Sequence, residues 1–376
     1  MKSVLKKNLT IMVPDIGIKE FKRIKQVISS KHVTEGPITK EFESKFSKYI
    51  GVKHAIATTS GTSALELALH LLNIKKNDEV ILPSFTHPAT GNCIVSVGAK
   101  PVFVDIELKS FNTNSDFINK AITKKTKAVI IVSQFGNPVD IKPILVLKKK
   151  YNFRLVEDAA CSLGSKIGKE KVGKQADITC FSFHPRKIIT TGEGGMLVTN
   201  DDKINEKARS MKNFGLINYK NKLIQRTWGS NLKLTDIQSA MGLEQLNRIE
   251  EILKNRIKRA LYYHKLFSEF DNIITPPTRK GIRQNFQTYC ILLKQNAVRD
   301  NLIQSLSKKG IESRIGSFAL HLQPAYSKIY KYKLPNSTKA YLNGLAIPLH
   351  NKLTQDDQEY VANSIMNVLK NTNKKH

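Results

Sequence analysis

The 376-residue sequence has no apolar run of about 18 residues, so no membrane-spanning helix is expected. Cysteine is scarce: Cys93, Cys161, Cys180 and Cys290 lie far apart and form no CxxC pair. That spacing argues against a zinc site or a disulfide framework; buried free thiols are expected, and no metal. Proline and glycine, at 13 and 20 residues, are not in excess, and no low-complexity tract or internal repeat stands out. Residues Met1–Asn8 carry Lys2, Lys6 and Lys7, and the apolar stretch after them is too short and too mixed for a signal-peptide core. A cytoplasmic protein is expected. Acidic residues are in short supply, 31 against 61 Lys and Arg, which leaves a net charge of +30. A nucleic-acid binder would concentrate such lysines in an arm or a stripe interleaved with aromatics. Here they are spread over the whole length, so no nucleic-acid role is expected. The positive field suits attraction of a small anionic substrate.

At roughly 100–200 residues per domain, the length fits two domains. From about residue 54 to 200, short apolar runs alternate with helical patterns. Strands are expected at 54–59, 78–84, 101–106, 127–133, from 154, at 178–183 and at 196–199, with helices at 62–72, 88–97 and 141–151. Such alternation predicts a mostly parallel α/β sheet covered on both faces. Runs without polar alternation fit strands buried on both sides. A long helix is predicted from Thr235, reaching as far as Phe267, with Asp236 in its first turn. Beyond Pro276 the pattern predicts a smaller α+β domain, closing with a helix at 355–369 and a frayed tail, Asn371–His376. The expected division is 1–250 for the N-terminal segment and large α/β domain, and 251–376 for the linking helix and the small C-terminal domain.

Four segments could carry chemistry. Gly61-Thr62-Ser63 lies between a strand and a helix, where backbone N–H groups bind phosphate, or where an ordinary N-cap suffices. Asp158 ends an apolar strand, where open α/β sheets place ligands; it could hold a metal, a base or a pyridinium nitrogen, or merely cap. Lys187 follows Ser182-Phe183-His184-Pro185-Arg186 and precedes the Gly192–Gly195 turn. It could form a Schiff base with an aldehyde cofactor, or be one more surface lysine. Gly229–Leu234 precedes the long helix. Jointly these needs match pyridoxal phosphate: a lysine for the aldehyde, an acid at the ring nitrogen, an anion site and a group on the ring face. Lys187, Asp158, the Gly61–Ser63 turn with Ser182, and His87 could supply them.

The chain resembles the sugar aminotransferase family related to DegT, DnrJ and StrS. The likeness runs through Glu35-Gly36-Pro37, Ser60-Gly61-Thr62, Pro83-Ser84-Phe85-Thr86, Val102–Asp105, Glu157-Asp158-Ala159-Ala160, Ser182–Lys187 with Gly192–Gly195, and Leu345–His350. The resemblance implies an aspartate-aminotransferase-like (fold type I) large domain and a homodimer with shared active sites. It implies Lys187 and Asp158 as catalytic residues, with Lys187 bound to pyridoxal 5'-phosphate and Asp158 on its ring nitrogen. It places Gly61, Thr62, Ser63 and Ser182 on the phosphate, and Asn231 on the phosphate in the partner subunit. His87 and Cys161 stand at ring-contacting positions, where a larger aromatic and a Gln are common; Lys233 stands where an Arg is common. The implied reaction is transamination of a nucleotide-diphosphate-linked keto-sugar with glutamate as donor, for glycan or polysaccharide synthesis. His184, Arg314 and His321 could line the sugar pocket, or belong to structural loops. Two alternatives stay open: a sugar dehydratase of the same fold, against which Lys187 argues, and a non-enzymatic regulator.

Overall fold

The computed structural model describes residues 8–373. Its centre is a seven-stranded sheet in the order His54–Thr58, Gly195–Thr199, Ile178–Ser182, Arg154–Asp158, Thr126–Val132, Glu79–Pro83, Lys100–Val104. Gly195–Thr199 pairs antiparallel with both neighbours; the pairings beyond Ile178–Ser182 are parallel. Val80–Leu82, Ala128–Ile131 and Leu155–Val156 are buried on both faces, which is why their sequence reads as unbroken apolar runs. Every expected strand of this region is present to within about two residues. One consequence fixes the site: Thr58, Asp158 and Ser182 end their strands, and the reversed strand begins at Gly195, all on one sheet edge. No described helix is long and apolar enough to cross a membrane. The four cysteines are free thiols, and no metal-competent cluster of ligating side chains occurs among the described residues.

The predicted long helix is two helices, Asp236–Asn247 and Ile249–Leu266. They meet at Arg248 (φ −116°, ψ 19°), whose guanidinium binds Asp15 at 3.1 Å and Glu20 at 2.6 Å. Asp236 does more than suit a helix dipole. Its buried carboxylate accepts the N–H groups of Gly36 (2.8 Å), Ile38 (3.2 Å) and Thr39 (2.9 Å), plus the Thr39 hydroxyl (2.7 Å). These are amides that the helix Pro37–Ile50 cannot satisfy within itself.

Strands Ile273–Ile274, Tyr289–Leu293, Gly344–Ile347 and Arg314–Ile315 form a second, antiparallel sheet. It packs with Ile249–Leu266, Arg299–Lys308 and Gln355–Asn373 around Tyr263, Tyr289, Leu306 and Ile365. The last helix runs to Asn373, into the tail expected to fray; 374–376, like Met1–Lys7 with its lysines, lie outside the described residues. The N-terminal segment leans on this C-terminal unit: Leu9 bridges Ile311, and Ile11 accepts the Leu349 N–H at 3.2 Å. Two further pairings tie the units together, Ile282–Arg283 with Lys166–Ile167 and Phe318–Ala319 with Phe85–Thr86.

Glu157 is buried behind the sheet edge, accepting from Ser133 Oγ at 2.8 Å and Gly173 N at 3.3 Å. Burial pushes its carboxyl up to about 7, against the pull of those two bonds. Between about 4.5 and about 7 the unfolded chain therefore ionises while the folded protein keeps the proton. Stability contributed by the neutral acid is lost as pH rises through that window. Glu157→Gln should thus melt higher, relative to wild type, at pH 8 than at pH 5. Equal differences in melting temperature at the two pH values would show that Glu157 titrates normally.

Candidate active site

Helix Gly61–Leu71 starts from a capping box: Ser60 Oγ accepts the Ser63 N–H at 3.0 Å, and Ser63 Oγ accepts the Ser60 N–H at 2.9 Å. Ser63 Oγ also lies 3.0 Å from Thr59 Oγ1. The Ser63 hydroxyl and amide are thereby engaged in building the turn. Among the described residues, no protein acceptor takes the Gly61 or Thr62 amides, and Thr62 is exposed. A Cβ on Gly61 would stand 2.8 Å from the Ser182 Cβ, and one on Gly195 would stand 2.3 Å from the Ser60 carbonyl oxygen. Glycine at both positions brings the turn against the end of the Ser182 strand. The result is a cradle in which two helix-start amides lie near the hydroxyls of Thr62 and Ser182, a donor set of the kind that could hold an anion.

Asp158, 5% exposed, is fixed on both carboxylate oxygens. Oδ2 accepts from Thr90 Oγ1 at 2.7 Å, and Oδ1 accepts from Ala160 N at 3.1 Å. Thr86 lies behind Thr90 at 2.9 Å. His87 caps the helix Pro88–Ser96, with Nδ1 accepting the Ala89 N–H at 3.2 Å. Partial burial in the cleft, then the nearby Lys187 charge, push the imidazole pKa down; Asp158 pulls the other way. The depressed pKa favours the uncharged imidazole, and with Nδ1 accepting from Ala89, Nε2 is the nitrogen left to carry the proton.

Lys187 Nζ lies 3.4 Å from Cys161 Sγ. The turn that carries it is braced from several sides. Lys187 N donates to His184 O at 2.8 Å, His184 Nδ1 accepts from Arg186 N at 3.2 Å, and Gln287 Nε2 donates to Arg186 O at 2.6 Å. Asn285 Nδ2 donates to Cys161 O at 2.9 Å, and Asn285 Oδ1 accepts the Gln287 N–H at 2.8 Å. One short stretch of the C-terminal half thus grips both sides of the lysine. Sequence reading missed Thr90, Asn285 and Gln287. Their partners lie 68, 124 and 101 positions away, and no local motif marks them.

The other expected site residues are scattered. His184 stands beside Lys187; burial lowers its pKa, and Glu193, 3.9 Å away, partly restores it. Arg314 lines a small cleft with Arg186 and Arg256 and is paired with Glu312 at 2.6 Å. Asn231 is exposed and bridges Asn213, while the next carbonyl, Leu232 O, accepts the Thr59 N–H of the cradle at 3.0 Å. Lys233 reaches Asn213 Oδ1 at 3.1 Å and sits 4.5 Å from the Phe214 ring centre. His321 is buried, Nδ1 lying 2.6 Å from Ser84 Oγ and Nε2 3.2 Å from Thr338 Oγ1. It lines a separate hollow of about 810 Å³ with Tyr332 and Lys333, and no described contact joins it to the Lys187 cluster.

The residues present fit pyridoxal phosphate. The glycine-walled cradle would hold a phosphate, the fixed acid a pyridinium N–H, the neutral imidazole a ring face, and the amine an aldehyde. Comparison with known proteins agrees. A GDP-perosamine synthase of Caulobacter vibrioides is 37% identical over 88% of this chain and 89% of its own. The Helicobacter pylori aminotransferase PseC, involved in pseudoaminic acid biosynthesis, superposes with a TM-score of 0.93 at 28% identity, over 97% of this chain and 100% of that one. A Streptococcus pneumoniae aminotransferase, Spr1654, solved in its pyridoxal phosphate form, gives 0.92 at 28% identity over 97% and 99%. These similarities, and the match of residues 14–366 to the family's own sequence profile, place the chain in the DegT/DnrJ/EryC1/StrS aminotransferase family, whose enzymes depend on pyridoxal phosphate.

Proposed function

We propose that this aminotransferase moves an amino group from glutamate to a keto-sugar linked to a nucleoside diphosphate, and that its product feeds glycan or polysaccharide synthesis. The observation that carries the reading is the convergence of Lys187, the doubly fixed Asp158 and the Gly61–Ser182 cradle on one sheet edge. The GDP-perosamine synthase relative supports a nucleotide-sugar acceptor.

When bound, pyridoxal phosphate supplies an aldehyde for an amine and a ring that accepts electrons from the substrate carbon. In this reading, the Gly61 and Thr62 amides and the Ser182 hydroxyl hold the phosphate. Asp158 would face the ring nitrogen and favour a proton there by opposite-charge attraction; Thr90 and the Ala160 amide stop the carboxylate from turning away. His87 packs its uncharged imidazole on the ring face, so it does not oppose that positive charge. Lys187 Nζ carries the proton to and from the substrate carbon, a role in which position counts as much as basicity. Cys161, 3.4 Å from Lys187 Nζ, would offer the ring's oxygen only a weak donor. The site is completed in a homodimer, with Asn231 reaching the phosphate of the second subunit.

The direct test is a panel of nucleotide-linked keto-sugars incubated with glutamate and followed by mass spectrometry. At least one should gain the mass of amination; none doing so would overturn the acceptor class. Borohydride reduction of the purified protein should fix the cofactor to the peptide containing Lys187, and Lys187→Ala should prevent it. Mixing inactive Lys187→Ala subunits with inactive Asn231→Ala subunits should restore part of the activity, since one hybrid site is then intact. Labelling of another lysine, or no recovery after proven subunit exchange, would count against these roles. Asp158→Asn keeps the shape and removes the charge. It should lower kcat by about a hundredfold or more, with a much smaller loss of cofactor, because the charge matters most in the transition state. Near wild-type turnover at full cofactor loading would return Asp158 to the role of a simple cap.

A further inference from the structure

Cys161 and Lys187 meet because their strands are neighbours. Arg154–Asp158 pairs in parallel with Ile178–Ser182, with Asp158 opposite Cys180. Shortly after the sheet edge, one chain reaches Cys161 and the other Lys187, and Nζ and Sγ end 3.4 Å apart. The C-terminal half keeps both turns in place: Asn285 Nδ2 holds the Cys161 carbonyl, and Gln287 Nε2 holds the Arg186 carbonyl. The lysine stem is a flexible four-carbon chain, so rotation of side chains is enough to bring its nitrogen onto the sulfur.

The other thiols are set apart from this one. Cys93, Cys180 and Cys290 are at most 1% exposed, and burial pushes their pKa values up. A thiol attacks peroxide as its thiolate, so those three are shielded both from access and from ionisation. Cys161 is only partly buried, and a primary amine touches its sulfur. The glutamine common at this position in related enzymes forms no bond of this kind, so the pair belongs to this sequence.

We propose that Cys161 and Lys187 are a modification site, at which hydrogen peroxide joins Sγ to Nζ reversibly and blocks the amine. In the first step the peroxide O–O bond breaks. Sulfur takes one oxygen and becomes a sulfenic acid, giving two electrons to the peroxide, whose other oxygen leaves as water. In the second step the Nζ lone pair attacks sulfur and the S–O bond breaks. The hydroxyl leaves with a proton from nitrogen, as a second water. The protein has then lost two hydrogen atoms. Two molecules of a small thiol restore the amine and the cysteine and depart as a disulfide. Lys187 joined to the cofactor's aldehyde is not available to the sulfur, so the bound cofactor protects the pair. The proposal uses the role of Lys187 in the family reaction and is independent of which substrates the enzyme takes.

The test treats the full-length protein with hydrogen peroxide, with and without bound pyridoxal phosphate, and maps its unreduced peptides by mass spectrometry. Without cofactor, the main product should be two peptides joined through Cys161 and Lys187. Their mass should be two hydrogen atoms below their sum, and dithiothreitol should separate them. Bound cofactor should slow the joining about tenfold or more, because it occupies the amine. Lys187→Ala should carry Cys161 to its oxygen adducts instead, and Cys161→Ser should leave Lys187 free. Three results in the wild type overturn the pair: an unmodified Cys161, sulfinic acid on Cys161 with Lys187 free, or loss of two hydrogens within the Cys161 peptide alone, which marks attack by a backbone nitrogen. Joining that the cofactor does not slow supports the pair and overturns Lys187 as the residue that holds the aldehyde.

Discussion

The site depends on how closely backbones can approach at the reversed strand. Gly195 lies against the Ser60 carbonyl, and Gly61 lies against Ser182. A methyl group at either position would overlap atoms of the opposing chain, backbone at one and a short side chain at the other. Without those contacts, the amides that start the helix Gly61–Leu71 would stand away from the Ser182 hydroxyl. The capping box of Ser60 and Ser63 holds the turn in shape and uses up groups that a phosphate would otherwise claim. The cradle is thus a packing result first and a chemical one second.

Charge is arranged around that cradle in a graded way. Asp158 is the fixed carboxyl group, clamped by Thr90 and Ala160. His87 is kept neutral by partial burial and by Lys187. Positive charge gathers in the cleft lined by Arg186, Arg256 and Arg314. The surplus of 61 basic over 31 acidic residues sets a positive background for anionic molecules. The local pairs decide where such molecules stop.

Much of this was legible in the sequence, for a physical reason. The central strands are buried on both faces, so their apolar runs survive as a pattern, and segments at strand ends could be picked out as ligand positions. The helices Ile18–Ser30 and Pro37–Ile50 were not expected: the first does carry a local signal, Glu20 accepting the Gly17 N–H at 2.8 Å, whereas the start of the second is capped by Asp236 from far along the chain. Arg248 breaks the long helix through ion pairs with Asp15 and Glu20, which no local propensity reveals. The Ser63 hydroxyl looked free as a residue type but is engaged in the cap. His321 is pinned between Ser84 and Thr338 and lines the separate hollow with Tyr332 and Lys333. Thr90, Asn285 and Gln287 act through partners distant in sequence, and only folding makes them neighbours.

The Asp236 carboxylate has a consequence for the order in which the protein is made. Thr39 waits for an acceptor 197 residues downstream, and Glu20 for a guanidinium 228 residues downstream. On a ribosome adding about 5–20 residues per second, that is a delay of roughly 10–45 s. Through that interval the first two helices exist without their anchor, while the central-sheet strands that separate them from Asp236 in sequence are emerging. The N-terminal segment is therefore among the first parts synthesised and among the last to be locked. Until Asp236 and Arg248 are made, the apolar side chains of these helices lack the partners that hold them in the fold.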